Sequence, residues 1–147
     1  MKQTRRELAI LLPAMLAVAD AEAQTARNPM LTSKCYEFKD LPVKVNEKTH
    51  GESRQVFDGT LHDGEPVDMH ITLLAPGQMP HPPHHHEWEE IIMLQTGLLE
   101  FTIKGNSTRV GPGSVVYIAS NEEHGLKNVG DVPSQYFVLA TARRSAG

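Results

Sequence analysis

The stretch HPPHHHEWEE, residues 81–90, holds four histidines, three glutamates and one tryptophan in ten positions. Imidazole and carboxylate groups bind divalent metals and move protons near neutral pH. What they do here depends on which of them share a face. On a helix, His84 and His86 would point roughly 200° apart. On a strand, alternate residues share a face. His84, His86 and Glu90 then fall together, with Trp88 between them and Ile92 and Leu94 beyond. His85, Glu87 and Glu89 face the other way. The IIML that follows favours a strand, and Pro82-Pro83 stiffens the chain ahead of it. The reading is a polar trio at the mouth of an apolar interior.

Two rival sites fail on residue type. A zinc-protease helix needs H-E-x-x-H, and HEWEE has Glu90 where the second histidine would stand. A closed structural zinc site draws on cysteines, and the chain has one, Cys35, which also excludes an intrachain disulfide. A solvated, charged strand edge remains the alternative, and residues 81–90 alone do not choose. Several neighbours carry two readings. His81 belongs to a surface turn or orients a substrate. His70, in DMHITLL, is a hydrogen-bonded barrel histidine or supports the ligands from behind. Trp88 lines the pocket or packs at its rim. Phe101 and Ile103 read as core.

The elements that must position these groups are short strands. RQVFDGTL (54–61) and VDMHITLLAPG (67–77) are strand candidates separated by the turn-forming HDGE. EIIMLQTG (90–97) and LLEFTIKG (98–105) read as a hairpin. Residues 107–128 hold two more short strands broken by GPG and SNEE, and SQYFVLATA (134–142) is the last. Gly, Pro, Asn and Asp recur about every 8–12 residues, the rhythm of an all-β sandwich or barrel. The hydrophobic fraction of 39% in 147 residues suits one domain with a real core. The net charge of −4, with no basic patch, argues against nucleic acid as a partner.

Downstream, GPGSVVYIASNEEHGLKN adds a turn, an apolar strand, a second turn, His124 and Asn128. With this second motif the sequence resembles the cupin superfamily, in its small single-domain form. The first cupin motif is a Gly, a spacer, H-x-H-x-x-x-E, six residues and a Gly. Here it reads Gly77, His84, His86, Glu90, Gly97, with a six-residue spacer after Gly77. The second motif ends H-x-x-x-N, matched by His124 and Asn128, and Pro112-Gly113 matches its frequent opening turn. Ser120 and Asn121 stand in the turn where many cupins carry Pro and Gly. Asn tolerates positive φ next best after Gly, so the turn should survive. The likeness covers residues 67–140 and implies a double-stranded β-helix, the cupin jelly-roll barrel. It implies that His84, His86, Glu90 and His124 converge on one divalent transition metal (Mn, Fe, Ni, Co, Cu or Zn). Four protein donors on a six-coordinate ion leave two positions open, as a catalytic site requires.

The activity this implies is metal-dependent chemistry on a small molecule. A dioxygenase with a three-His, one-Glu site is the first expectation, with Glu90 also serving catalysis by taking a proton. A metal-assisted isomerase, lyase or decarboxylase is the second. A non-catalytic cupin binding a sugar-like or phenolic ligand is the third. Cupins often dimerise through edge strands, so a homodimer is a further expectation.

Residues 1–23 read as a separate segment: Lys2, Arg5 and Arg6, an apolar run from Leu8 to Ala19, then small residues around Ala21 and Ala23. That is the order of a secretory signal peptide, with the barrel in 24–147. Arg5-Arg6 followed by Leu8 resembles a twin-arginine signal. The expected location is periplasmic or extracellular, without a stable membrane anchor, since Lys34 precludes lipidation at Cys35. An amphipathic N-terminal helix is the alternative for this stretch.

Overall fold

The computed structural model describes residues 29–49 and 51–141. The expected signal peptide over 1–23 lies outside the described residues. These residues form a single 3-10 turn, Phe38–Asp40, and nine strands: β1 Val43–Asn46, β2 Gly51–Thr60, β3 Pro66–Leu74, β4 Glu89–Thr96, β5 Leu99–Ile103, β6 Asn106–Val110, β7 Val115–Ile118, β8 His124–Asn128 and β9 Ser134–Thr141. They build two antiparallel sheets. The larger runs β1-β2-β3-β9-β4-β7 and the smaller β6-β5-β8.

Burial follows the two-residue period of a strand. On β9, Ser134, Tyr136 and Val138 are buried, and on β5, Leu99 and Phe101. The core forms where the two inner faces meet. The larger sheet supplies Leu74, Ile92, Leu94, Ile118, Tyr136 and Val138; the smaller supplies Leu99, Phe101 and Leu126. Phe101 is core, as its strand position implied, and Ile103 packs against that core partly buried. Pairing aligns the inner face of the larger sheet: His70 lies opposite Val138, which lies opposite Ile92, and Thr72 opposite Tyr136, which lies opposite Leu94.

The turn expected at HDGE joins β2 to β3, with Gly64 at φ 88° and the Asp63 carboxylate accepting from the Glu65 N–H. Two expectations are corrected, and one strand is new. First, 90–97 and 98–105 are not a hairpin. β4 pairs with β7 and β9, whereas β5 pairs with β6 and β8. The chain crosses between sheets at Gly97, whose φ of 88° and closeness to Ser134 leave no room for a Cβ. Second, 107–128 contains three strands. β1 was not foreseen: Val43 and Val45 alternate with Lys44 and Asn46, but the run is only four residues long and all four are exposed. It is a strand because β2 offers it an edge.

Asn128 locks this arrangement. It is fully buried, and its amide donates to the Leu74 and Val132 carbonyls while its oxygen accepts from the Gly130 N–H. Its own backbone bonds Gly77 and Gln78. One side chain thus ties the end of β3 to the turn that follows β8.

Candidate metal centre

The four residues singled out by type and spacing come from three places in the fold. Glu90 stands on β4 with its side chain on the inner face, in line with the buried Ile92 and Leu94. His124 opens β8, opposite Ile103 of β5. His84 reaches the same point by an isolated bridge to His124, with reciprocal N–H to carbonyl bonds of 3.0 and 2.9 Å. His86 lies in the irregular segment between that bridge and β4. Its carbonyl accepts from the Asn121 N–H at 2.7 Å. Asn121 has φ 61°, the left-handed geometry expected of the turn before His124. That turn holds the His86 loop in place.

The expected grouping therefore holds, but not through one continuous strand. Residues 85–88 leave strand geometry. Trp88 consequently departs from the inward set: it is 43% exposed and stacks flat on His86, rings 4.4 Å apart. It is a rim residue. His85 and Glu87 are exposed, as alternation implied, and Glu89 is half-buried.

His84, His86 and His124 bring one ring nitrogen each within 4.8 Å of one another. The Glu90 carboxylate spans two of them, 3.4 Å from His86 Nε2 and 3.6 Å from His124 Nε2. These separations exceed a good hydrogen bond. They approach the roughly 3.0–3.4 Å between donors that each sit about 2.1 Å from a shared ion. Two backbone carbonyls set the imidazole tautomers. His86 Nδ1 lies 2.9 Å from the Trp88 oxygen and His124 Nδ1 lies 2.8 Å from the Glu122 oxygen. An Nδ1–H donating to each carbonyl leaves the Nε2 lone pair free for a metal. His86 Nε2, His124 Nε2 and His84 Nδ1 are buried without a hydrogen-bond partner. A buried polar atom left unpaired costs about 1–3 kcal/mol. A divalent cation would satisfy these atoms, and imidazole with carboxylate is a donor set such cations accept. The residues fit the metal that the sequence motifs imply.

Burial lowers the His84 pKa below its ordinary 6.5, reinforced by His81, His124 and His86 and opposed by Glu90. In the metal-free chain, folding then favours the neutral ring. As pH falls through about 6.5 the unfolded chain takes this proton first. The stability His84 contributes is complete above that pH and is lost below it. Thermal unfolding of chelator-treated protein should show a falling Tm from pH 7 to 5, with a shallower slope in His84→Gln. Equal slopes would remove His84 as the source.

The cluster borders a cavity of about 350 Å³ that reaches Glu90 and His124 past Leu74, Ile92, Leu126 and Val138. That volume suits a small molecule held by apolar walls and a few polar groups. His81 lies on this cavity, its ring 4.2 Å from that of His84. Three contributors left no pattern to read in the sequence: the Trp88 and Glu122 carbonyls and the Asn121 N–H. They are backbone groups, which every residue carries.

The family model of the Cupin domain (Cupin_2) matches residues 70–140, which contain all four residues. Comparison with curated proteins finds no match. Among solved structures, the chain is similar to the polyketide cyclase RemF from Streptomyces resistomycificus. The identity is 22%, over 78% of this chain and 83% of that one, with a TM-score of 0.63. It is also similar to KdgF from Halomonas sp., with 18% identity, 78% and 97% coverage and a TM-score of 0.65. A predicted oxalate decarboxylase from Thermotoga maritima gives 18% identity, 75% and 100% coverage and a TM-score of 0.61. Identities this low speak to the fold, an all-β cupin jelly roll, and not to the reaction. Both sequence motifs, the two-sheet fold and the family match agree, and residues 70–140 form a Cupin domain.

Proposed function

We propose that this chain is a metal-dependent enzyme acting on a small molecule, with His84, His86, Glu90 and His124 holding one divalent transition metal. The observation that carries the reading is the set of three buried, partnerless ring nitrogens grouped beside one carboxylate at the end of a cavity. When bound, the metal would supply Lewis acidity to substrate oxygens. The apolar walls would exclude water from them. Dioxygenase chemistry on a phenolic or enediol substrate is the leading reaction class. The test is metal analysis of the purified chain, then oxygen uptake with catechols, flavonols and keto acids. Uptake that vanishes with chelator and returns with one metal supports the proposal. A chain that takes up no metal sinks it.

A metal-assisted isomerase, lyase or decarboxylase is the second reading. It draws support from structural relatives described as a polyketide cyclase and a predicted oxalate decarboxylase. Turnover of keto acids without oxygen consumption would select it. Ligand binding without turnover would instead indicate a carrier.

Glu90 contributes charge to the site and is placed to take a proton. Glu90→Gln keeps its size and removes both functions. Activity per bound metal should fall about 100-fold or more, within the range for loss of a general base. Full activity in the metal-loaded variant would exclude a catalytic role.

Export completes the proposal, resting on the charged start, apolar run and small residues of 1–23. Mass spectrometry of the native protein should find a start at or near Gln24, and an intact Met1 would refute export. Among the described residues, no helix is long and apolar enough to cross a membrane.

A further inference from the structure

A second polar group faces the same cavity from the opposite part of the larger sheet. His70 lies on the cavity wall, on the inner face of β3 beside Val138 of β9. Its Nδ1 is 3.0 Å from Asp68 Oδ1. Asp68 stands behind it, two residues back along the same strand and outside the cavity lining. Gln55, directly across from His70 on β2, donates its amide to the other Asp68 oxygen and also to the Phe57 carbonyl at 2.8 Å. The order from the cavity outward is imidazole, carboxylate, amide. Asp68 lies opposite Ala140, which lies opposite Glu90. The two acidic residues are therefore two strand spacings apart, about 10 Å between backbones. A small molecule in contact with the histidine cluster is within reach of His70.

We propose that His70, oriented by Asp68, is a second proton-accepting base in this cavity, distinct from Glu90 and acting on a substrate hydroxyl. The proposal rests on the metal-site reading above. A carboxylate bound to Nδ1–H fixes the tautomer with its lone pair on Nε2, at the far end of the ring, and stabilises the imidazolium that forms. In the step itself the Nε2 lone pair forms an N–H bond and the substrate O–H bond breaks. The electron pair stays on the substrate oxygen. The Asp68 carboxylate meets the new positive charge, and no oxidant or other reactant is consumed. The substrate class is a hydroxyl compound with a second oxygen in reach of the histidine cluster, such as a vicinal diol, a catechol or an α-hydroxy ketone. The other titratable groups on the cavity are Lys44, Glu52, His81, Glu90, His124 and Tyr136. None of them has a carboxylate seated behind an imidazole in this way, which singles out His70.

The probe is 4-nitrocatechol, a diol whose visible spectrum distinguishes its protonation states. It is titrated between pH 5 and 9 on the metal-loaded full chain, on His70→Gln and on Asp68→Asn, with metal content and Tm measured on each. The expected result is an unchanged metal content and a deprotonation midpoint of the bound probe raised by about one pH unit in both variants. A merely structural role for the pair would change Tm and leave the midpoint in place. An unchanged midpoint in both variants overturns the proposal and leaves the metal reading standing. A native chain that binds metal but gives no spectral change with the probe overturns the base assignment together with the oxygen-ligand cavity. A native chain that binds no metal overturns the metal reading itself. Asp68→Asn keeps the shape of its side chain and so serves if His70→Gln unfolds.

Discussion

His86→Ala and His124→Ala should each abolish stoichiometric metal binding, while His85→Ala should leave it intact. His86 and His124 are buried, with Nδ1 engaged by a carbonyl and Nε2 without a partner. Neither ring has another role that its position explains. Removing a group that merely supports a ligand weakens metal binding by about 10–100-fold. Removing the ligand itself should exceed that, leaving less than one-tenth of the native metal content after dialysis. His85 is the internal control: it sits between two members of the cluster in sequence and is exposed. Elemental analysis of the three purified variants, with Tm measured before and after metal addition, decides the matter. The native chain should gain Tm on metal addition, because a cation bound only by the folded state stabilises it. The two alanine variants should lose that gain. Metal loss in His85→Ala with retention in His86→Ala would mean that the assigned face is wrong.

The second large effect is on stability. Asn128→Ala should destabilise the chain by about 3–5 kcal/mol, from three main-chain groups left without a partner at roughly 1–3 kcal/mol each. The groups are the Leu74 and Val132 carbonyls and the Gly130 N–H, and the side chain that served them is fully buried. This is a sizeable part of the roughly 5–15 kcal/mol of a typical domain. Urea unfolding should show the midpoint falling accordingly. Asn128→Asp should be intermediate or worse, since it keeps the acceptor, loses both donors and buries a charge. Metal content of the folded variant should be unchanged, because Asn128 closes β8 four residues beyond His124 and its side chain bonds main-chain groups outside the cluster. A loss below about 0.5 kcal/mol, the size of an ordinary surface substitution, would mean that the network carries no weight.

The two motifs thus mix two kinds of residue that a spacing pattern cannot separate. On the proposed metal reading, His84, His86, Glu90 and His124 would be held by type, since a metal accepts few side chains. Gly97 and Asn128 are held by backbone: one fits where no Cβ can, the other supplies two donors and an acceptor to main-chain groups. In a sequence they read as equal members of one signature.

What the sequence determined by itself was local or strictly patterned. The period-two alternation of β4, β5 and β9 was legible because each buries one face against the core. So was the turn at Asp63–Gly64, whose chemistry is local. Strand parity put His84, His86 and Glu90 on one face, and His124 joined them through the resemblance to the two cupin motifs. Only the tertiary structure decided which strands pair. Sheet membership is a contest among edges far apart in the chain, and β4 and β5, adjacent in sequence, went to different sheets. It alone made β1 a strand, through the open edge of β2. It turned Trp88 outward, because the His84–His124 bridge and the Asn121 bond to His86 pull residues 85–88 out of strand alternation. It brought Gln55 onto Asp68, a contact that needs two strands in register, whereas Asp68 and His70 are two residues apart on β3.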